Sequence, residues 1–477
     1  MLMLVLLPST TRCTEREGPI DIGTRLEPLV DGCLIAATKG VSLTLHHPVP
    51  KEVAIVFDEP WEGNTSAYFT VFQDGDLCRM YYRGSNYDLE TKVSGAERVC
   101  YAESRDGIHW TKPELGLFEY EGSKANNILW EGLGTHDFAP FKDTSPACTA
   151  EARYKAVGRH QEKSGLVPFQ SSDGIHWSLI QEEPVITEGA FDSQNLAFWD
   201  GVRKRYVEFH RGSKDGFRAI MTSTSDDFLH WTSPQWLDYG DTPDEHLYTN
   251  AIAPYPRAPH IFMGFPKRFV PSRDLKVHPY PGVSDGVFMT GRDGVHFHRW
   301  REALIRPGLQ KSRWVNRNNM TAWGILQTKS DIPDTPDELS VYSSEGYYVG
   351  PCQLRRFTVR LDGFVSVNAP GQGGEFTTKP LFFADDPNTP PQNATSETEL
   401  ILNYSTSAAG SIWCEIQDES GKPIPGFALE DSDEIYGDRI ERAATWRGSS
   451  ELKDLVGQPV RLRFVMKDAD LYSLRFR

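Results

Sequence analysis

The sequence lacks an apolar run near the ~20 residues that a membrane-spanning helix needs, and it also lacks a long run of lysines or arginines. Acidic residues outnumber basic ones, 66 to 50, which gives a formal net charge of -16. A chain this acidic gains nothing from contact with a phosphate backbone. We therefore expect neither a nucleic acid nor a membrane among its partners.

Metal-binding and disulfide patterns are scarce as well. The seven cysteines are scattered and never form a CxxC pair, which excludes a typical zinc site and a dense disulfide framework. Cys78 and Cys100 both lie in predicted strands, so they form either one bridge or two buried thiols, of which we favour the thiols. Because no P-loop, HExxH or dinucleotide-binding pattern occurs, no cofactor is predicted.

What the sequence does contain is a repeated turn. Ser104-Arg-Asp-Gly-Ile-His-Trp110 recurs as Ser171-Ser-Asp-Gly-Ile-His-Trp177, Ser225-Asp-Asp-Phe-Leu-His-Trp231 and Gly291-Arg-Asp-Gly-Val-His-Phe297, at steps of 67, 54 and 66 residues. A degenerate fifth copy is Arg360-Leu-Asp-Gly-Phe364. Asp-Gly favours a tight turn, because Asp bonds the nearby backbone and Gly accepts positive φ. The histidines of this motif are therefore interpreted as structural.

Strand-like runs precede each copy, with no helical periodicity between them. In the first unit they are Ala67 to Gln73, Leu77 to Gly84 and Arg98 to Ser104, with a hairpin turn at Asp74-Gly-Asp76. Five such units predict an all-β protein with a five-bladed β-propeller over residues 24–369. Residues 24–57 are expected to close the propeller or to cross to the next domain.

Beyond the propeller we expect a C-terminal β-sandwich at residues 375–477, reached through the linker-like Pro370-Gly-Gln-Gly-Gly374. Residues 385–398 are predicted to form an exposed loop. Residues 1–23 form a tail whose apolar start is either the remnant of a signal peptide or a frayed terminus. The compartment therefore stays open, with secretion or the periplasm preferred over the cytoplasm.

With these repeats, the chain resembles the glycoside hydrolases of families 32, 43 and 68, which are five-bladed propellers with three carboxylates in a central funnel. Trp61-Glu-Gly-Asn-Thr65 stands where family 32 has its blade-one motif, and His136-Asp-Phe-Ala-Pro140 stands where it has its blade-two motif. The resemblance implies a glycosidase acting on a carbohydrate. It also implies that Asp137 takes the place of the carboxylate that stabilises the transition state.

Polar residues recur just before the innermost strand of each predicted blade, where side chains enter the channel. The proposed catalytic residues are Glu62, Asp137, Asp192 and Glu245. The proposed substrate-binding residues are Asp58, Asn64, His136, Gln194, His246, Arg317 and Asn319. No metal ligand is proposed, although a structural calcium ion in the channel would be compatible with so many carboxylates.

Glycoside hydrolysis needs one acid and one carboxylate that serves as nucleophile or base. Glu62 or Asp58 would be the nucleophile or base, and Asp192 or Glu245 the acid. Arg317 would pair with an anionic sugar group or neutralise the clustered acids. Three other functions stay open: a non-catalytic sugar-binding propeller, a phosphorylase or glycosyltransferase with an Arg/His cluster for phosphate, and a protein-interaction scaffold.

Overall fold

The computed structural model describes residues 18–276, 280–383 and 398–477, and it contains the five predicted blades as five separate antiparallel sheets. Blade one has strands Ala67–Asp74, Leu77–Gly84, Arg98–Ser104 and Ile128–Trp130. Blade two has strands Ala139–Lys142, Tyr154–Arg159, Leu166–Ser171 and Ser178–Leu179. Blade three has strands Leu196–Asp200, Arg205–Lys214, Phe217–Ser225 and Gln235–Trp236.

Blade four is larger than the others. Its main strands are Ala253–Tyr255, Ala258–Gly264, Val283–Gly291 and Phe297–Ile305. Two further strands, His246–Leu247 and Lys267–Val270, pair with each other and extend the sheet. This extension was not predicted, and it supplies Lys267 to the site described below.

Blade five closes the ring with a strand from the start of the chain. Its strands are Leu326–Thr328, Glu338–Glu345, Cys352–Arg360 and Val49–Phe57. The first strand of blade two contacts those of blades one and three, and the first strand of blade five contacts that of blade one. The backbone of Val71 in blade one also donates a hydrogen bond to the carbonyl of Trp323, just before the first strand of blade five. The five-bladed all-β propeller is therefore confirmed, and so is its closure by the predicted N-terminal strand.

Copies of the repeated turn join their blade to its neighbour, as the first two copies show. In its first copy, Asp106 accepts hydrogen bonds from two backbone amides and lies 2.8 Å from Nδ1 of His109. The Gly174 carbonyl of blade two accepts a hydrogen bond from Tyr81 of blade one (2.9 Å), and the Gly107 carbonyl accepts one from Tyr342 of blade five. These histidines hold the turn, as predicted, and Cys78 and Cys100 are free thiols.

The second compact unit combines residues up to His47 with residues from Val359 onwards, whereas the propeller unit runs from Pro48 to Thr358. Its strands are Ile20–Asp21, Glu27–Pro28, Ile35–Lys39, Ser42–Leu45, Val365–Ala369, Gly374–Thr378, Leu381–Phe382, Leu400–Asp418, Asp438–Ala443 and Val460–Phe476. Two long strands, Leu400–Asp418 and Val460–Phe476, pair antiparallel along most of their length. Their inward side chains, including Leu402, Ile416 and Phe464, form its core.

The unit boundaries differ from the expected 24–369 and 375–477, because early strands pair within the second unit. Ser42–Leu45 pairs with Val365–Ala369, and Ile35–Lys39 pairs with Gly374–Thr378. Residues 370–373 therefore connect two strands of one sheet and are not an interdomain linker. The expected loop at 385–398 lies, except for Thr398, outside the described residues, as does most of the tail.

Short 3-10 helices occur at Ala150–Ala152, Lys311–Arg313 and Lys453–Leu455. A two-stranded hairpin, Tyr87–Asp88 with Val93–Ser94, projects from blade one. Within the described ranges, no helix has the length and apolar character that a membrane span requires.

Candidate active site

All five blades contribute to one group of polar and aromatic side chains, which we call the central cluster. Its members are Tyr68, Arg83, Glu97, His136, Asp192, Arg211, Tyr248, Lys267, Arg317 and Tyr347. Three of them, His136, Asp192 and Arg317, were predicted as site residues from their positions before the inner strands.

His136 lies between two carboxylates. Its Nε2 is 3.0 Å from Asp192, and its Nδ1 is 3.0 Å from Glu97. A ring nitrogen facing a carboxylate must donate, so this arrangement favours the doubly protonated imidazolium. Burial lowers the pKa of His136, but hydrogen bonds to Asp192 and Glu97 outweigh it, and the pKa is raised above its ordinary value.

Arg83 holds Glu97 in place. Its guanidinium forms an ion pair with Glu97 at 3.2 Å, lies 3.2 Å from His136 Nδ1 and donates a hydrogen bond to the Thr65 carbonyl at 2.9 Å. It also covers the ring of Tyr68 at 4.8 Å. Burial raises the pKa of Glu97, but the His136 hydrogen bond and the Arg83 charge prevail and lower it. Glu97 is therefore ionised and fixed on the far side of His136 from Asp192.

Asp192 is the most accessible acid of the cluster, with 52% of its side chain exposed. Partial burial raises its pKa, yet the His136 hydrogen bond and the charges of His136, Arg211 and Arg317 lower it to about 2. The His136–Asp192 pair thus combines a proton donor with an ionised, solvent-accessible carboxylate.

The ring of Tyr248 gathers a set of cations that we call the Tyr248 cation group: Arg211, Arg218, Lys267 and Arg317. Lys267 Nζ is 3.9 Å from the ring centroid, and the Arg211 guanidinium is at 4.6 Å. Arg317 also donates to the Tyr347 hydroxyl at 2.6 Å. An electron-rich ring face attracts cations, which explains why four basic side chains lie around the ring of Tyr248.

Backbone strain accompanies this site. Tyr68 has φ 59° and Arg317 has φ 69°, both in the left-handed region that side chains other than glycine rarely occupy. Such conformations cost about 1–3 kcal/mol each and are concentrated at functional sites. At Tyr68 the strain coincides with a register shift between Ala67 and Thr70, which turns the side chain towards Arg83.

The other three predicted catalytic acids do not contact the cluster's His136–Asp192 pair. Glu62 is buried, accepts a hydrogen bond from Tyr82 and lies 2.7 Å from Lys112. Burial raises its pKa, opposed by Lys112. Glu245 forms ion pairs with Arg299 at 2.5 Å and Arg268 at 3.1 Å.

Asp137 follows His136 directly but points into the interior. It is fully buried, accepts a hydrogen bond from the Arg159 amide at 2.7 Å and another from Asn195. Burial raises its pKa to about 7. His136 and Asp137 are neighbours in the turn that precedes the strand Ala139–Lys142, and their side chains have different partners.

The remaining predicted binding residues have structural partners. Gln194 ties blade three to blade one through the Phe69 carbonyl, and Asn319 accepts hydrogen bonds from Arg313. His246 accepts a hydrogen bond from the backbone of Arg218, and Asp58 is exposed beside Lys112 at 3.5 Å. Asn64 bonds the backbone of Tyr87 and so positions that ring next to Tyr280 and Tyr348.

Arg83, Glu97, Arg211 and Lys267 were not predicted as site residues, because none of them immediately precedes the inner strand of its blade. One signal was present: Arg83-Gly84 and Arg211-Gly212 repeat at corresponding places in the second strands of blades one and three. Among the described residues, no group of three or more His, Cys, Asp or Glu side chains is arranged to hold a metal. The calcium ion stays a prediction.

No protein-family model and no curated protein matches the chain. Solved structures similar to it include a glycosyl hydrolase from Bacteroides ovatus (14% identity, TM-score 0.44, covering 65% of this chain and 93% of that one). A thermostable family-43 glycoside hydrolase has 12% identity, TM-score 0.42 and coverage of 63% and 91%. A fructofuranosidase from Schwanniomyces occidentalis complexed with fructosylnystose has 10% identity, TM-score 0.39 and coverage of 90% and 97%. At these values the function has to be argued from the site itself.

Proposed function

We propose that the central cluster is the active site of a glycosidase that cleaves a poly- or oligosaccharide. The observation that carries this proposal is the 3.0 Å contact between His136 and the half-exposed Asp192, with Glu97 behind the ring. Hydrolysis of a glycosidic bond needs a proton for the leaving oxygen and a base or nucleophile for the sugar. In this proposal His136, whose pKa is raised, supplies the proton, and the ionised Asp192 supplies the base.

In the proposed reaction, His136 donates its Nε2 proton to the leaving oxygen as the bond between that oxygen and the anomeric carbon breaks. After the leaving group has departed, Asp192 accepts a proton from the water that attacks the anomeric carbon on the same face, because the 3.0 Å contact between the two side chains leaves no room for a sugar ring between them. The products are two sugars with free hydroxyls, a neutral His136 and a protonated Asp192. Because the two side chains are in hydrogen-bond contact, the proton returns directly from Asp192 to His136.

An aromatic surface beside the cluster supports a carbohydrate substrate. Tyr87, Tyr280 and Tyr348 contact one another, with ring centroids 5.4 to 6.0 Å apart. Tyr348 packs against Tyr347, which accepts the hydrogen bond from Arg317. Aromatic rings with a polar edge suit the apolar face and the hydroxyls of a sugar. We place the remote part of the substrate on this surface.

Product analysis tests the reaction class. The wild-type protein is incubated with a panel of polysaccharides and aryl glycosides in oxygen-labelled water, and the products are analysed by mass spectrometry. Hydrolysis predicts one labelled oxygen in each new reducing end. An unlabelled unsaturated product would show that the bond is broken by elimination and not by hydrolysis. Saturable sugar binding without any product from the panel would contradict catalysis and favour the binding module.

A further inference from the structure

Buried cations in this propeller normally have a carboxylate partner. Among the described propeller residues, seven Arg or Lys side chains are buried: Arg83, Lys155, Arg211, Lys267, Arg299, Arg313 and Arg356. Five of the seven form ion pairs with Asp or Glu, such as Lys155 with Asp143 at 2.5 Å and Arg356 with Glu52 at 2.5 Å. The two that do not are Arg211 and Lys267, and both belong to the Tyr248 cation group.

The other two members of the group, Arg218 and Arg317, also have no carboxylate within ion-pair distance among the described residues. Asp192 is the carboxylate whose charge acts on Arg211, Arg317 and Lys267, and it is already engaged with His136. Among the described residues, three guanidinium groups and the amine of Lys267 therefore face one carboxylate that is already paired with His136. Leaving buried charge uncompensated is costly, so a fold keeps such a group when a ligand completes it.

Lys267 shows how incomplete the group is. It is fully buried, and its Nζ makes one hydrogen bond, to Asn316 at a long 3.4 Å. The Nζ atom also lies near the rings of Tyr248 and Phe269. Burial, followed by the charges of Arg317, Arg211 and Arg218, holds the pKa of Lys267 well below its ordinary range. The lowered pKa favours the neutral amine while the group is empty, and an anion beside Nζ would favour its protonation; the described residues place no carboxylate in ion-pair contact with Nζ.

From this geometry we propose that the Tyr248 cation group binds an oxyanion: a carboxylate, sulfate or phosphate group. Guanidinium groups present planar donor pairs that match such oxygens, and Lys267 adds a point charge once the bound anion favours its protonation. The anion is either carried by the sugar or is a free phosphate that enters beside it. The proposal that this group binds an oxyanion does not depend on the proposed glycosidase activity. The proposal that the oxyanion is a substituent of the cleaved sugar does rest on that activity.

The test is titration calorimetry of the full-length protein with inorganic phosphate, glucuronate and glucose in an anion-poor buffer. We expect at least one of the two oxyanions to bind more tightly than glucose. Stronger binding of glucuronate identifies a sugar-borne anion, and stronger binding of phosphate identifies a free one. If neither oxyanion binds more tightly than glucose, the proposal is overturned, whatever the glycosidase assays show.

Variants assign the binding to this group. Arg317→Met and Arg211→Met each remove a charge-assisted contact, and we expect each to weaken oxyanion binding about tenfold to hundredfold. Arg105→Met is the matched control, because Arg105 is an exposed arginine in the blade-one turn. Equal binding by all three variants would contradict the proposal.

Thermal melting separates lost binding from lost folding. Lys267→Met removes a buried, unpaired amine and keeps its length, so its Tm in anion-poor buffer should equal or exceed that of the wild type. The oxyanion that binds should raise the Tm of the wild type and leave that of Lys267→Met nearly unchanged. A melt of the wild type that does not respond to saturating oxyanion would refute the site without any variant.

Discussion

His136 Nε2 lies 3.0 Å from Asp192 Oδ1, and the ring's other nitrogen lies 3.0 Å from Glu97. The pair therefore joins an accessible carboxylate to a proton donor, and Glu97 stabilises the protonated form of that donor from the other side of the ring. This relationship links residues of three loops, one each from blades one, two and three. The proposed chemistry depends on it.

The pH dependence of turnover follows from the two pKa shifts. Asp192 loses its proton near pH 2, and His136 keeps its proton to a pH above its ordinary value of 6.5. Since the active form needs ionised Asp192 and protonated His136, activity should be level through mildly acidic pH. It should fall as the pH rises through the raised pKa of His136. A pH profile of kcat/KM checks this, and a profile that rises through the same range would contradict it.

Glu97→Gln should move that alkaline limb to lower pH. The substitution removes a negative charge at 3.0 Å from the ring, which lowers the pKa of His136. We expect kcat at neutral pH to fall with little change in KM, because Glu97 acts through His136 and does not touch the sugar. Glu131→Gln, which removes a carboxylate paired with Arg98 in the same blade, is the control. If the alkaline limb of the pH profile is not shifted in Glu97→Gln, Glu97 does not control the protonation of His136 during the reaction.

Asp137 should act on stability rather than on turnover. Its pKa is raised to about 7, so the folded protein binds a proton more tightly than the unfolded chain does. The stability from this group is complete below pH ~4, the ordinary pKa range of Asp, and is lost as the pH rises towards 7. Urea unfolding should therefore show a free energy of unfolding that declines over this window. Asp137→Asn should flatten the decline, and an unchanged slope would contradict the assignment.

Gly174→Ala should weaken the contact between blades one and two. Gly174 has φ 79°, and an added Cβ would lie 2.8 Å from the Tyr81 hydroxyl, which bonds the Gly174 carbonyl. We expect a loss of about 2–5 kcal/mol in the free energy of unfolding, from backbone strain plus overpacking. Gly216→Ala, at φ 85° with open space around its Cβ position, should lose the strain part alone. Equal losses in a denaturant titration would show that the turn does not fasten the blades.

The sequence predicted the fold well because its signals are local. Strands Leu77–Gly84 and Arg98–Ser104 have the predicted bounds, since the turn at Gly75 and the motif at Ser104 mark their ends. The unit boundary at Thr358 was not predictable in this way. It depends on the pairing of Ser42–Leu45 with Val365–Ala369, two segments far apart in the chain.

The site was predicted in part for a related reason. Asp192 and His136 precede inner strands and were found, whereas Asp137 was assigned to the channel although its side chain is directed into the interior. Arg83 and Arg211 come from second strands, and Lys267 comes from the extra strand of blade four. Which side chains of such strands reach the centre depends on twist and register, and neither can be read from one sequence.

The most direct test of the central claim is the rate of sugar release by Asp192→Asn, measured beside Asp226→Asn on the glycan that the wild type cleaves. Asp226 is an exposed aspartate in the blade-three turn, so its variant carries the same chemical change outside the cluster. The account predicts a loss of about 10²–10⁴-fold for Asp192→Asn with sugar binding retained, and wild-type rates for Asp226→Asn. Full activity of Asp192→Asn would contradict it.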